Sequence, residues 1–272
     1  MTVPTRNSAK TLKACLEAVY SSTYPRLEVI VVDGGSCDAT LKVAEEYGAR
    51  VVSCSWGLLG ARFTGFKEAR GDYILLLDSD QLVEASAIER AVEASRIFDM
   101  LVLEEMGFEP RSLFERLFAY DRELAHRVPS LDPIGGEVLP RFFKRWVLEA
   151  AFSRIPRRAL EEVVHFDHAI IYYEAYSVTQ RVGVVPRAVW HLESASPREV
   201  VVKNVRYGSS LNSLLKLRKY RRLLCRDSLP KKVVNRARYG AGLVKVMGSL
   251  AINAFRDAAI AVGLVLGALH LR

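Results

Sequence analysis

The sequence predicts an α/β protein with a mainly parallel sheet flanked by helices, and three observations carry that prediction. Tyr73-Ile74-Leu75-Leu76-Leu77-Asp78-Ser79-Asp80 is an apolar run that enters two aspartates one residue apart. Leu27-Glu28-Val29-Ile30-Val31-Val32-Asp33-Gly34-Gly35-Ser36-Cys37-Asp38 is a second such run, ending in an acidic residue and a glycine turn. Between the two, helical stretches flank a short strand. Unbroken apolar runs mark strands buried on both faces of a parallel sheet. Strands that alternate with helices imply right-handed crossover units. Ligands of such sheets bind beyond the carboxyl ends of the strands, so both acidic turns open on one edge.

Each element follows from local pattern. Met1-Thr2-Val3-Pro4-Thr5 forms a short first strand, with no charged-then-apolar leader ahead of it. Residues 38–48 read as a helix, 50–54 as a strand, 58–69 as a helix and 73–77 as the strand that meets the aspartates. Ser112 caps a helix in which Leu113, Phe114, Leu117, Phe118, Leu124, Ala125 and Val128 fall near one side. That stripe suits either the core or a membrane face. Residues 169–181 are helical and 182–190 form a strand. Ser-Ala-Ser-Pro at 194–197 is the candidate boundary between an α/β domain, 1–197, and a helical region, 198–272.

The balance of 50% hydrophobic and 26% charged residues over 272 positions is that of a globular chain with a sizeable core. Its net charge of +8 is uneven: residues 198–245 hold 14 basic residues against Glu199 and Asp227. Cys15, Cys37, Cys54 and Cys225 have no metal-ligand spacing, which favours free thiols in a reducing compartment and hence a cytosolic face. Residues 258–269 are uninterrupted apolar, but a helix of that length covers only about 18 Å of a roughly 30 Å hydrocarbon core. Extension back to Tyr239 brings in Lys245, Arg256 and Asp257. A charge at the bilayer centre costs about 2.5–3.5 kcal/mol. The region therefore reads as interfacial or partly inserted helices against an anionic cytoplasmic leaflet. The alternative is a helix packed on the protein's own core, with the basic run as a solvated face. Tyr207, Tyr220 and Tyr239 are too sparse for a base-stacking surface, so nucleic acid is not the expected partner.

Two carboxylates at a turning strand end suit a hard divalent cation, Mn2+ or Mg2+, which in turn grips a diphosphate. The bland alternative has Asp78 capping a following helix and Asp80 solvated.

Four motifs in order resemble glycosyltransferase family 2, whose members have the GT-A fold: Met1 to Leu12 with its Val3-Pro4-Thr5 strand, Val31-Val32-Asp33-Gly34-Gly35-Ser36, Gly60-Ala61-Arg62, and Asp78-Ser79-Asp80. Gly135-Gly136-Glu137-Val138-Leu139-Pro140-Arg141-Phe142-Phe143-Lys144-Arg145 looks like the segment leading into the acceptor half of the site. A weaker likeness continues through Val163, His165-Phe166-Asp167 and Trp190-His191 to Lys203-Asn204-Val205-Arg206-Tyr207, about residue 208.

The resemblance implies roles residue by residue. Pro4 and Thr5 would floor the base pocket, Asp33 would accept from base or ribose, and Arg62 would lie beside the phosphates or base. Asp80 would bind the metal directly, while Asp78, next to Ser79, would lie nearer the ribose or the metal's waters. Arg6 stands where relatives have a stacking aromatic residue, and a guanidinium can also stack. Phe63 stands where the family usually shows Asn. Asp167 matches the catalytic base, which takes the acceptor's proton; a capping Asp at a helix start is the alternative. His191 would add a metal ligand or contact the phosphates, against the commoner structural role for a lone His. Lys203, Arg206 and Tyr207 are a loosened form of the Gln-X-X-Arg-Trp motif of processive relatives and would face phosphate or acceptor. With Gln and Trp missing, single-sugar transfer is implied.

The implied activity is metal-dependent, inverting transfer of one hexose from a nucleoside diphosphate sugar to a polyprenyl phosphate or lipid-linked acceptor, with mannose from GDP-mannose preferred by analogy alone. Readings from other classes are a non-catalytic, nucleotide-binding membrane scaffold and a basic nucleic-acid-binding protein.

Overall fold

Thr2–Thr5 (β1), Ile30–Asp33 (β2) and Arg50–Ser53 (β3) pair in parallel, with Thr2 opposite Ile30 and Ile30 opposite Arg50. These strands belong to a computed structural model that describes residues 1–193 and 196–270. Helices Ala9–Tyr20 (α1) and Thr40–Glu46 (α2) make the crossovers, and Leu58–Glu68 (α3) leads to Tyr73–Leu75 (β4). A parallel bridge from Thr2 to Leu76 joins β4 to β1, so the first four strands form the expected parallel half.

The second half is mixed. Its order is β4-β7-β6-β8-β5, with Gln81–Val83 (β5), Met100–Gly107 (β6), Phe142–Lys144 (β7) and Val182–His191 (β8). β7 runs antiparallel to both β4 and β6, and β5 runs antiparallel to β8, while β6 and β8 are parallel. The sheet is therefore less parallel than the sequence implies, because the chain inserts β7 only after a long excursion and returns it in the opposite sense. Past Asp80 the chain enters β5 directly; the next helix, Ala87–Ala94 (α4), starts later.

Strand alternation explains the apolar runs. Ile30, Val32, Ile74 and Leu76 enter one core with Phe143 and Ile170, while Val31, Leu75 and Leu77 enter the opposite core with Leu12, Leu16 and Leu101. Both sheet faces are dry, as an unbroken run requires. Leu113–His126 (α5) starts at Ser112 with a full capping box, in which the Glu115 amide donates to Ser112 Oγ and the Ser112 amide to Glu115 Oε2. Its stripe meets β6 and the final helix; Leu124 and Val128 are buried, whereas Leu113 stays exposed.

Arg145–Phe152 (α6), Arg157–Glu162 (α7) and Asp167–Tyr176 (α8) precede β8. The C-terminal region holds Pro197–Lys216 (α9), a 3-10 helix at Arg218–Cys225, Leu229–Tyr239 (α10) and Leu243–His270 (α11). Of the boundary residues 194–197, Ser194 and Ala195 lie outside the described residues. Leu211, Leu214, Tyr220 and Leu223 share one core with Ile74 and Phe143, so the two sides of that boundary pack as a unit.

The basic segment is only partly a solvated face. Arg226 donates to the carbonyls of Pro133 and Val138, each at 2.9 Å, and Lys231 to that of Gly136 at 3.1 Å. Buried Arg236 bridges Glu137 at 2.8 Å and Asp121 at 2.9 Å, and Lys232 donates to Asn253. α11 lies against α9 so closely that a Cβ on Gly208 would stand 2.0 Å from the Ile260 oxygen. Its span Leu243–Leu269 is long and apolar enough to cross a membrane, by length and composition. Val262, Val265, Leu266 and Leu269 are exposed at i, i+3, i+4 and i+7, an apolar stripe on its outer side.

Candidate active site

The site forms where β1, β2, β4 and β8 end together. Thr5 pairs with Asp33 across β1 and β2, and the Asp33 carboxylate accepts the amides of Gly35 and Ser36, both at 2.9 Å, and the Ser36 hydroxyl at 2.5 Å. Gly35 sits at φ +83°, a left-handed position that glycine fills without strain. Pro4 and Thr5 are buried in β1, and Arg6 emerges exposed beside this turn.

Arg62 is 1% exposed, which removes any reading of it as a surface arginine. α3 carries it under the sheet edge, where Nε donates to Asp167 Oδ2 and Nη2 to Asp78 Oδ1 at 2.5 Å. Its Nη1 is buried with no hydrogen-bond partner among the described residues. Phe63, the next residue, turns to the core and meets Phe152 edge-on at 5.3 Å.

Asp78 does not cap a helix. Its second oxygen accepts from Arg141 Nη1 at 2.8 Å, and burial alone would raise its pKa, but Arg141 and Arg62 outweigh burial and hold the carboxyl well below its ordinary range. Ser79 stands partly buried between the two aspartates. Asp80 points elsewhere: its oxygens lie 3.6 Å from His191 Nε2 and 3.8 Å from Lys203 Nζ. The antiparallel register that sets Gln81 opposite His191 puts that imidazole there. His191 Nδ1 faces Glu193 Oε2 at 3.5 Å without a hydrogen bond.

Asp167 opens α8 without capping it; its side chain goes to Arg62 instead. Phe166 before it takes φ +70°, a conformation a bulky residue adopts only under constraint. Burial would raise the Asp167 pKa, but the Arg62 guanidinium and His168 together outweigh it, leaving the carboxyl below its usual value. On α9, Lys203 lies 6.0 Å over the Tyr207 ring, which stacks on His165 at 4.7 Å, while Arg206 is exposed.

Five further residues close the network. Arg141 also reaches Glu105 at 3.2 Å and contacts His168 Nε2; Glu105 pairs with Arg122, which reaches Glu193 at 2.7 Å. Charge thus alternates from Asp167 through Arg62, Asp78, Arg141, Glu105 and Arg122 to Glu193, beside His191. In the sequence Arg141 appears only inside the Gly135-to-Arg145 segment; the signal that could mark it is an arginine next to a strand, Phe142–Lys144, paired with the one that leads to Asp78.

Among the described residues no three His, Cys, Asp or Glu side chains stand at metal-binding spacing. Asp78 has both oxygens on arginines, which leaves Asp80 and His191 as the available donors. Mg2+ and Mn2+ sites that take one or two protein ligands and complete the shell with substrate phosphates fit such a set.

Comparison with known proteins defines the fold class first. Staphylococcus aureus TarS, residues 1–349 with UDP-GlcNAc, matches at a TM-score of 0.56 and 17% identity over 94% of this chain and 91% of that one. The mannosyltransferase PcManGT of Pyrobaculum calidifontis, in complex with GDP-Man and Mn2+, matches at 0.55 and 21% over 98% of this chain and 72% of that one. The chain has the GT-A glycosyltransferase fold, as the motifs imply.

Residues 2–97 match the model of Glycosyl transferase family 2, which supports the family resemblance over β1 to α4. The putative glycosyltransferase EpsH of Bacillus subtilis is 24% identical over 200 residues, 68% of this chain. The match spans 57% of EpsH.

Proposed function

We propose that the chain is a metal-dependent, inverting glycosyltransferase that moves one hexose from a nucleoside diphosphate sugar to a polyprenyl phosphate or lipid-linked acceptor. The observation that carries this reading is Arg62, a buried guanidinium that joins Asp78 to Asp167 and whose Nη1 has no partner among the described residues. A diphosphate is the group that such a donor lacks. TarS and PcManGT, which match in fold, have structures in complex with UDP-GlcNAc and GDP-Man, and the reading extends a sugar nucleotide to this chain.

The donor's base would lie over Pro4, Thr5 and Asp33 beside Arg6, with the ribose toward Asp78 and Ser79. Asp80 and His191, with Asp78 behind, would hold Mn2+ or Mg2+, which supplies charge neutralisation of the leaving diphosphate. As donor phosphates draw Arg62 toward them, Asp167 loses its ion pair and its basicity rises, so it takes the proton of a hydroxyl acceptor. A phosphate acceptor arrives ionised, and there Asp167 orients the attacking oxygen. Lys203, Arg206 and Tyr207 approach phosphate or acceptor from α9. The outer stripe of α11, with exposed Arg206, Arg218, Arg221 and Arg222 in the same half, supports attachment to an anionic cytosolic membrane surface.

The test is a panel of UDP- and GDP-sugars with Mn2+ and a polyprenyl phosphate, followed for release of nucleoside diphosphate and glycosylated lipid. GDP-mannose is the donor expected to react. Failure of every donor to bind or turn over sinks the transferase reading.

A further inference from the structure

The carboxylate of Asp167 is placed by a turn that its own sequence resists. Phe166 takes φ 70° and ψ 14°, in the left-handed region, which a bulky side chain enters only when its neighbours enforce it. Its ring is buried and shares a core with Leu211 and Leu214 of α9, and its carbonyl accepts from the Ile170 amide at 2.9 Å in the first turn of α8. A relaxed φ there would swing the start of α8, and Asp167 with it, away from Arg62.

Two contacts on the preceding residue hold this turn, and both come from α9. The His165 amide donates to Ser210 Oγ at 3.2 Å, and that hydroxyl donates in turn to the Tyr207 carbonyl at 2.8 Å. The imidazole stacks on the Tyr207 ring, with 4.7 Å between centroids and 6° between planes, and meets Phe166 edge-on at 4.5 Å. Burial pushes its pKa down from 6.5 to about 4, so at neutral pH the ring is uncharged: it packs as an aromatic plate and is a poor proton acceptor. Lys203, Tyr207 and Ser210 recur at spacings of four and three, so they share one face of α9, and Lys203 Nζ lies 3.8 Å from Asp80. That face therefore touches both ends of the site. Elsewhere α9 is fixed to α11, where Ser209 donates to the Gly263 carbonyl at 3.0 Å and Asn212 to that of Leu264 at 3.2 Å.

We infer that His165 is a positioning residue for Asp167: fastened by its amide to Ser210 and by its ring to Tyr207, it locks the Phe166 turn and so sets where the carboxylate stands. The C-terminal helical region thereby completes, through α9, a site whose other acids come from the α/β half. The assignment rests on the glycosyl-transfer reading for its role, because the carboxylate that His165 places is the proposed base. A proton is taken only from an oxygen within hydrogen-bond reach, and a displacement of about 1 Å can cost on the order of 100-fold in rate.

Turnover on a hydroxyl acceptor and amide hydrogen exchange, both on the full chain, test the assignment. His165→Ala should lower kcat by about 10- to 100-fold with donor KM within a few-fold, and His165→Phe, which keeps a ring for Tyr207, should recover most of that loss. In an Asp167→Asn background the same His165→Ala should cost less than about twofold, since no base remains to be placed. Thermal unfolding reports whether each variant is folded. If His165→Ala is not, Ser210→Ala, which removes one hydrogen bond and leaves the ring in place, should lower kcat about threefold with the same non-additivity. A rise in acceptor KM at constant kcat would make His165 an acceptor contact, and an equal loss with and without Asp167 would make its role that of packing; either overturns the assignment. The Ile170 amide, whose acceptor is the Phe166 carbonyl, should exchange about tenfold faster in folded His165→Ala while the amides of β1 to β3 keep their rates. Unchanged exchange at Ile170 overturns the lock on the turn. Faster exchange there in a chain that turns over no UDP- or GDP-sugar would support the lock while removing the transferase reading.

Discussion

Arg141 donates to Asp78 at 2.8 Å across 63 residues of chain, and with Arg62 it occupies both oxygens of that carboxylate. The two aspartates of Asp78-Ser79-Asp80 therefore differ in kind: Asp78 has both oxygens hydrogen-bonded to guanidinium groups, whereas the Asp80 carboxylate has, among the described residues, only the longer contacts to His191 and Lys203 at 3.6 and 3.8 Å.

Asp80→Ala should abolish transfer and Mn2+-dependent nucleotide binding. Its thermal unfolding without ligand should stay near that of the wild type, because a partly exposed strand-end carboxylate contributes little to the core. Full activity in this variant would end the metal assignment.

Asp167→Asn should lower turnover on a hydroxyl acceptor by about 100- to 10,000-fold, with donor affinity within a few-fold. On a phosphate acceptor the loss should be much smaller. A collapse of donor binding in titration calorimetry would instead make Asp167 a brace for Arg62.

Arg236→Met leaves Asp121 and Glu137 without their buried partner, and urea unfolding should show a loss of about 3–5 kcal/mol. Adding Asp121→Asn should recover part of it. A variant as stable as the wild type would mean that α10 is not what holds α5 and the 133–138 segment.

Burial, with Arg141 next, lowers the His168 pKa from 6.5 to about 4, so the folded chain binds fewer protons there than the unfolded one. The contribution is fully present above pH 6.5 and is lost as pH falls to about 4, on the order of 3 kcal/mol. His165, also lowered to about 4 by burial, adds a share in the same window. Stability should therefore fall on acidification through that range, and His168→Gln should flatten the slope in urea titrations at each pH. An unchanged slope would show that His168 is accessible to protons in the fold.

Introducing aspartate at both Val262 and Val265 should cut co-sedimentation with anionic vesicles by about tenfold or more, since each places a charge on the apolar stripe. Nucleotide binding should persist, because the residues proposed to bind nucleotide lie in and beside β1 to β8. Undiminished vesicle binding would direct attention away from α11.

The strands β1 to β4, α3 and the capped start of α5 were legible because each is written in adjacent residues: an apolar run, an acidic turn, a serine three residues before Glu115. The antiparallel β7 and the Arg141–Glu105 contact were not, since the partners stand 36 residues apart and no local pattern couples them. Arg226, Lys231 and Arg236 look like a solvated basic run in sequence. Their acceptors are carbonyls and two carboxylates about a hundred positions earlier, which only the fold brings close. Asp167 shows the same limit at the site: its place at the start of α8 was readable, whereas its choice of Arg62 over the helix amides was not.

The tether between 226–236 and the 133–138 segment has a consequence for biosynthesis. Arg226 reaches Val138 across 88 residues and Arg236 reaches Glu137 across 99. During translation the first four strands can pair early, but the 133–138 segment beside Arg141 gains its full set of anchors only after residue 236 has left the ribosome. Contacts of such separation form late and slowly. A nascent chain thus acquires the acidic turns after β2 and β4 well before the 133–138 segment is anchored, and premature termination ahead of α10 would yield a product that lacks those anchors.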